Sequence, residues 1–261
     1  MKGTLKQFDQ HILPLNAIHQ HQEELFGVKI TRIAGMNGRT SSERTVPDGF
    51  ALSSELYWDF LNSNDIRKKI KALIVDIDIS NTKLLKKQAS KVRRLIRSAA
   101  WTNEQKEQIT KQYIDCFGNK FSPLAIVRSS AVAQNISREE FPQLHDTIFS
   151  VKNKTELLQA IKNSYASLFK EKAIIYRHQK GLGHMHVAMS VLVQHQYTPM
   201  VSGKIYPVDV STGFQNVLTV EASHGTHELL QAGKVEPDRY ILFQPAIADK
   251  KYSVISQKRG S

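Results

Sequence analysis

The chain has 261 residues, of which 41% are hydrophobic and 23% are charged, and these values are ordinary for a globular protein. No run approaches the roughly 20 apolar residues of a membrane-spanning helix, so we expect no membrane partner. The N-terminal residues are polar and resemble no secretory signal. Cys116 is the only cysteine, which excludes an intrachain disulfide and a cysteine-rich metal site, so we expect a cytoplasmic protein.

The formal net charge of +12 permits a polyanionic partner such as nucleic acid or a phosphorylated ligand. The basic residues concentrate between Arg67 and Lys120, where 14 Lys or Arg against 5 Asp or Glu leave a charge of 14 − 5 = +9. This segment has neither interleaved aromatic residues nor a known nucleic-acid motif. A solvated helical face is therefore the favoured interpretation, and nucleic acid is an unlikely partner.

Helical patterns dominate the first 120 residues. The segment HQHQEEL predicts a short helix, whereas the glycines and the Ser/Thr cluster of FGVKITRIAGMNGRTSSERTVPDGF predict loops and turns around a short apolar piece. Ser53 is expected to cap a helix through SELYWDFLNSN. Two further helices are predicted over KLLKKQASKVRRLIRSAA and TNEQKEQITKQYIDCF, the first with an apolar face and the second capped by Thr102 or Asn103.

Strand-like segments alternate with helices after Phe121. LAIVR, HVAMSVLVQ, VLTVEAS, RYILFQ and KYSVISQ have the composition of strands, TELLQAIKNSYASLFKEKAIIYRHQ is helical, and GTHELLQAGKV is a short helix stopped by Gly233. The sequence therefore predicts an α+β fold with a mainly helical subdomain over residues 1–120 and a mixed subdomain over residues 121–261.

The short motifs of common nucleotide-binding and catalytic sites do not identify a function for this sequence. The sequence contains no phosphate-binding Gly-x-x-x-x-Gly-Lys-Ser/Thr loop, no Gly-x-Gly-x-x-Gly and no His-Glu-x-x-His, and the Arg-Ser-Ser-Ala stretch lacks the glycines of a nucleophile elbow. The histidine clusters at His184 and His186 and at His224, His227 and Glu228 are more typical of surface residues than of metal ligands. We predict no catalytic residue and no metal ligand in this chain.

Arg128 is the residue that most needs an explanation. It follows the apolar run Leu124-Ala125-Ile126-Val127, and a guanidinium at the end of a buried strand is costly unless a negative group meets it. One interpretation is a buried salt bridge with an acid such as Asp146 or Glu221. The other is an anion clamp, and the local sequence does not separate them.

Four sequence blocks, in order and in register over roughly residues 24–256, resemble one family. IVRSSAVAQNISREEFPQLHDTIFSV, SYASLFKEKAIIYRHQKGLGHMHVAMSVLVQHQ and VSGKIYPVDVSTGFQNVLTVEASHGTHELLQAGKVEPDRYIL are similar to blocks of phosphoenolpyruvate synthases, and FGVKITRIAGMN with VPDGFALSSELYWDFL matches more loosely. The family is the ATP-binding, ATP-grasp-like N-terminal domain shared by phosphoenolpyruvate synthase, pyruvate phosphate dikinase and rifampicin phosphotransferase.

The resemblance implies a site that binds ATP with Mg²⁺. Lys29 matches the lysine of the family's Gly-Gly-Lys loop and Arg128 the arginine of its Arg-Ser-Ser block, and both would contact phosphate. Thr147 and Ile148 match the loop that covers the nucleotide, and Gln143 stands at a glycine position of the same loop. Gln194 matches a glutamine near the adenine.

The sequence also departs from the family. Pro142 and Gln143 replace Ala-Gly in the covering loop, GTHE replaces Gly-Leu-Gly-Glu, and Phe26 precedes Gly27 where the family has a second glycine. The family's Mg²⁺-holding segment and its phosphohistidine domain have no match in the chain. We therefore expect an ATP-grasp-like domain incomplete at its C-terminal end, whose missing parts are a further segment or a separate chain.

The resulting prediction is the ATP-binding portion of a phosphoenolpyruvate synthase-like phosphotransferase. In the family, the phosphoryl group passes from ATP to a histidine carrier and then to pyruvate or another acceptor. Without the missing segments we expect nucleotide binding but no phosphotransfer. The alternatives are a degenerate relative with a binding or regulatory role and a basic nucleic-acid-binding protein.

Overall fold

The computed structural model describes residues 11–37, 45–118, 124–133, 144–248 and 254–258. Helices and strands are both abundant, which confirms the predicted α+β class. The contacts divide the chain into two compact units, Met1–Gln196 and Tyr197–Ser261. These units do not coincide with the predicted subdomains 1–120 and 121–261, because one sheet of the first unit draws strands from both sides of residue 120. Within the described ranges, no helix combines the length and the apolarity needed to cross a membrane.

The first unit begins with strand β1 (Ile12–Pro14), 3-10 turns at Leu15–Ala17 and Gln20–Gln22, helix α1 (Glu23–Asn37) and strand β2 (Gly49–Leu52). The prediction of loops and turns is wrong for the residues up to 37, which are helical. Ile30 and Ala34 are one helical turn apart on the buried face after Gly27, and Phe26, just before Gly27, is buried in the same apolar cluster. The glycines do not mark a loop here, because Gly27, with its positive φ of 77°, produces a kink within α1.

Helices α2 (Ser54–Ser63), α3 (Ile66–Ile74), α4 (Thr82–Ser98) and α5 (Asn103–Phe117) follow. The three predicted helices of this region are confirmed, and α3 is an additional one. The Ser53 hydroxyl caps α2 by accepting a hydrogen bond from the Leu56 amide at 3.4 Å, and Thr102 caps α5 through a reciprocal capping box with Gln105. The predicted apolar face of α4 is buried and consists of Leu85, Ala89, Val92 and Ile96.

The predicted long helix of the second half is two helices, α6 (Lys154–Ser167) and α7 (Glu171–Gln179). The chain turns between them, where the amides of Leu168, Phe169 and Lys170 donate to carbonyls only three residues back. Leu168 and Phe169 are buried at this turn. The turn therefore contributes two apolar side chains to the main core.

The sheet of the first unit adds strands β3 (Ala125–Ala133), β4 (Thr147–Val151) and β5 (Val187–His195) in the antiparallel order β1-β2-β5-β3-β4. One face packs on α1, where Ala51 and Leu192 meet Phe26 and Ile30. The other face joins the main apolar cluster with α2 to α6. Alternate residues of β3 and β5 thus face two different layers.

The second unit contains one antiparallel sheet in the order β6-β7-β8-β9, with strands Val201–Tyr206, Val217–His224, Asp238–Phe243 and Val254–Lys258. Helix α8 (His227–Gln231) ends before Gly233, which has a φ of 64°, and helix α9 spans Gln244–Ala248. The strands predicted in VLTVEAS, RYILFQ and KYSVISQ and the short helix stopped at Gly233 are confirmed.

Candidate functional site

Strand β3 places Arg128 on the sheet face that packs against α1. Its cross-strand partners are Thr147 on β4 and Leu192 on β5, and directly opposite residues project from the same face of a sheet. Leu192 belongs to the apolar cluster that includes α1, which identifies the face. Val127 is paired with Ile148 and faces the main core instead. Arg128 therefore follows the apolar run of β3 but points away from the main core.

Arg128 is bound by an amide. Its Nη1 donates to Gln194 Oε1 at 3.4 Å, and the Nε2 of Gln194 donates to the Pro47 carbonyl at 3.0 Å. Both ends of the Gln194 amide are engaged, so this nearly buried side chain orients the guanidinium. No carboxylate of the described residues forms an ion pair with Arg128, and its buried Nε has no partner there.

Of the two acids considered as salt-bridge partners, Asp146 is in the same unit as Arg128 and is paired with another residue. Asp146 pairs with Lys170 at the turn between α6 and α7. Glu221 belongs to β7 of the second unit, opposite Lys204 and Arg239. The interpretation of Arg128 as half of a salt bridge with Asp146 is therefore not what the structure shows.

Lys29 brings a second cation to the same place from α1. Its Nζ donates to the Ser129 carbonyl at 3.5 Å. Partial burial, and after it the charge of Arg128, lower the pKa of Lys29 to about 8, although part of the side chain still reaches solvent. No ion pair to Lys29 occurs within the described ranges. Two neighbouring cations without an acid are typical of a site that receives its negative charge from a ligand.

Gly27 allows α1 to lie this close to β3. A Cβ atom at Gly27 would stand 2.4 Å from the Ser130 hydroxyl oxygen and 3.2 Å from a methyl carbon of Val132. The positive φ of 77° is also a conformation that a side chain disfavours. Gly27 thus sets both the kink and the approach that bring Lys29 to β3.

Thr147 and Ile148, which were predicted to cover the ligand, lie on opposite faces of the sheet. Thr147 lies opposite Arg128 on the α1 side, whereas the Ile148 side chain packs against the main core. Ile148 can therefore reach a ligand on the α1 side only through its backbone. Pro142 and Gln143 lie outside the described residues.

A cluster on the opposite face of β3 holds the start of β4. Ser129 Oγ donates to the Asp146 carbonyl at 2.7 Å and forms a short hydrogen bond with Ser164 Oγ of α6. The neighbouring His145 Nδ1 lies 3.4 Å from the Ser167 carbonyl. These contacts fix Asp146, and through it Thr147, against the helices.

Arg177 of α7 is a residue that the sequence reasoning missed. It is 1% exposed, its Nε donates to His184 Nδ1 at 3.3 Å, and neither terminal nitrogen has a described partner. Burial, and after it the charge of Arg177, lower the pKa of both His145 and His184 to about 4. The second family block contains a Tyr-Arg pair that includes Arg177, and this resemblance could have drawn attention to the residue. The sequence alone does not show that Arg177 is buried.

The described residues do not fit a bound Mg²⁺. Around Lys29 and Arg128 they offer amide and carbonyl oxygens from Gln194, Pro47 and Ser129, but Mg²⁺ sites use carboxylates. In the described part of the chain, no three His, Cys, Asp or Glu side chains are grouped closely enough to hold a metal. No step is therefore assigned to a metal in this chain.

These features define a class of protein, an α+β domain whose sheet carries two neighbouring cations that form no ion pair with a described acid. The chain matches the family described as "Pyruvate phosphate dikinase, AMP/ATP-binding domain" over residues 23–260. It belongs to that family, which confirms the resemblance inferred from the sequence blocks.

Curated relatives agree with the family. The chain is 34% identical over 219 residues to the phosphoenolpyruvate synthase of Aquifex aeolicus, covering 82% of this chain and 25% of the relative. It is 32% identical over 221 residues to the Helicobacter pylori enzyme, covering 83% and 27%. Against the Synechocystis enzyme it is 28% identical over 259 residues, covering 96% and 32%. The chain therefore spans about a quarter to a third of the length of these relatives and corresponds to their ATP-binding portion.

Proposed function

We propose that the chain holds ATP for a phosphoryl transfer like that of phosphoenolpyruvate synthase, with Lys29 and Arg128 as the phosphate contacts. The observation that carries the proposal is the juxtaposition of these two cations, from α1 and β3, on one face of the sheet without a described acid. Membership of the ATP-binding family supports it independently.

The chemistry expected of these residues is positioning and charge compensation. Phosphoryl transfer depends on holding the phosphates in line and on neutralising their charge. Arg128 is pre-oriented by Gln194, so little side-chain entropy is lost when its other nitrogens meet a phosphate. Lys29 supplies a point charge, and Thr147 adds a hydroxyl on the same face as Arg128. Gln194 would contact the adenine only by giving up one of these two hydrogen bonds.

Catalysis by the whole protein is proposed from the relatives. The acceptor of the phosphoryl group, and a Mg²⁺ ion bound with ATP, would be held by groups other than the described residues. A cytoplasmic location is proposed on the basis of the single, free Cys116.

Isothermal titration with ATP and Mg²⁺ tests the phosphate contacts. We expect Lys29→Ala and Arg128→Ala each to weaken ATP binding by about tenfold or more, because each removes a charge-assisted hydrogen bond. Lys172→Ala, which removes an exposed lysine of α7, is the control and should leave the affinity unchanged. Unchanged affinity in both site variants would overturn the assignment.

A further inference from the structure

A second cluster of cations lines a cavity in the helix layer of the first unit. The cavity has a volume of about 560 Å³ and lies between the end of α2, the start of α3 and the residues that precede β5. Its lining includes Arg67, Lys68 and Lys71, together with His186 and a single carboxylate, Asp65. The volume is in the range of sites for small ligands, roughly 300 to 1,000 Å³.

The pattern of α3 places these cations on the outer side of the helix, where they line the cavity. Ile66, Ile70 and Ile74 are buried and fix the inner face of the helix, so the basic residues lie on its outer side. The Arg67 guanidinium is held over the Trp58 ring, with its Cζ 4.5 Å from the ring centroid. Arg67 and Lys71 lie one helical turn apart and therefore face the same side.

The helix terminus adds to the positive potential. Asp65 precedes α3 in a left-handed conformation with a φ of 52°, and its side chain makes no capping hydrogen bond. The first turn of α3 contains no acidic residue. The amide groups at this end therefore donate no hydrogen bond to the Asp65 side chain, which leaves them as donors for an anion.

Arg177 is a further, buried cation of the first unit, although it does not itself line the cavity. It is 1% exposed, and both terminal nitrogens lack a partner among the residues that the structure describes. Its Nε is bonded to His184, two residues before the His186 that lines the cavity. The charges of Arg177 and Arg67 both act to lower the pKa of the buried Tyr57, so both cations lie near this residue. A buried guanidinium without an acid is costly and raises the positive potential of its surroundings.

The cavity is separate from the ATP site. His186 precedes β5, and Leu192, the residue opposite Arg128, lies six positions later, which is about 20 Å along a strand. Arg128 and Lys29 are also on the α1 side of the sheet, whereas α2 and α3 are on the other side. A ligand of Lys29 and Arg128 does not account for the charges of this cavity.

We propose that this cavity is a second anion site, which binds a small molecule carrying one or more phosphate groups. Arg67, Lys68 and Lys71 contact the phosphate oxygens, and the amide groups at the start of α3 contribute further donors. The cavity is open to solvent, and its volume of about 560 Å³ matches a small ligand, whereas the backbone of a nucleic acid would follow an extended basic surface.

Methyl NMR of the methionines tests the proposal directly in the full chain. Met185 lines the cavity, and Met36, an exposed residue of α1 in the same unit, serves as the reference. With inorganic pyrophosphate as the probe, we expect a saturable shift of the Met185 methyl signal and none at Met36. The shift should persist in Arg128→Ala, so the result does not depend on the ATP site.

Matched variants identify the contacts. Lys68→Gln with Lys71→Gln should weaken the apparent affinity for pyrophosphate by about tenfold or more. Lys83→Gln with Lys87→Gln removes the same charge from the exposed side of α4 and should leave the affinity unchanged. Asp65→Asn should tighten binding, because it removes the one carboxylate and asparagine tolerates the left-handed conformation. This variant tests the site even if the lysine pair does not fold.

Three results would overturn the proposal. The first is a Met185 signal that does not move with pyrophosphate, and the second is an equal loss of affinity in both lysine pairs, which would indicate a nonspecific basic surface. The third is a Met185 shift at lower concentrations of a single-stranded oligonucleotide than of pyrophosphate, which would assign the cavity to a nucleic-acid backbone.

Discussion

The two faces of strand β3 differ in how their polar side chains are paired. On the face toward α6, Ser129 is bonded to Asp146 and Ser164, and Asp146 is paired with Lys170. On the face toward α1, Arg128 and Lys29 have no described acid. The polar groups named on the first face are paired within the protein, whereas the two cations on the second face are those that we propose meet an anionic ligand.

The largest effect is expected from the core behind the first face. Phe60 is fully buried, with ring centroids 4.4 Å from Trp101 and 5.6 Å from Tyr165. Phe60→Ala should lower the free energy of unfolding by about 3–5 kcal/mol, measured by urea denaturation. Met36→Ala, at a side chain that is 60% exposed, should change it by less than about 0.5 kcal/mol. A loss below about 1 kcal/mol at Phe60 would contradict the packing described above.

Neighbouring substitutions on β3 test the comparison itself. Ser129→Ala should lower the free energy of unfolding by about 1–3 kcal/mol, because the Ser164 hydroxyl and the Asp146 carbonyl lose a buried partner. Arg128→Ala should change stability less, since it also removes the repulsion of Lys29, while it weakens ATP binding. Urea denaturation and ATP titration of both variants provide the measurement. Greater destabilisation by Arg128→Ala would reverse the assignment of the two faces.

The sequence predicts the parts of this architecture that depend on periodicity. The buried face of α4 and the caps at Ser53 and Thr102 follow from residue spacing and cap chemistry, and the structure confirms them. The kinked helix α1 was not predicted, because Gly27 and Gly35 are loop signals unless the burial of Phe26 and Ile30 is known. Tertiary packing against β3 overrides the local preference there.

The candidate site was predicted by family resemblance and not by local chemistry. Alone, the run before Arg128 was compatible with both a salt bridge and an anion clamp. The structure places Asp146 at Lys170, a contact between residues 24 positions apart, and this removes Asp146 as a partner of Arg128. The role of Gln194 as the partner of Arg128 and the burial of Arg177 also depend on such distant contacts, which no spacing rule encodes.

A smaller effect is expected from the ionisation of Lys29. Its pKa is about 8 in the folded protein against 10.5 in an unfolded chain, so the unfolded state binds more protons between these values. The free energy of unfolding should therefore rise with pH between about 8 and 10.5. The rise should be small, because the Lys29 side chain reaches solvent. Affinity for ATP should instead fall as the pH rises through about 8, because the ammonium is lost.

Titrations of ATP between about pH 7 and pH 9 check this prediction, since arginine stays charged throughout that range. Lys29→Arg keeps the positive charge and should abolish the loss of affinity. A loss of equal size in Lys29→Arg would show that another group is responsible.

The smallest effect tests whether the charge of Arg177 extends across the helix layer. Arg177 contributes, after burial, to the low pKa of His145 and of His184, about 4 for each. Arg177→Met keeps an unbranched side chain of similar length and removes the charge, so both pKa values should rise toward the ordinary value near 6.5 without reaching it. NMR titration of the histidine ring protons measures them, with His21, on the surface in the 3-10 turn, as the reference. If only His184 shifted, the charge of Arg177 would act locally, and the start of β4 would be held by Ser129 and Lys170 without an electrostatic contribution from α7.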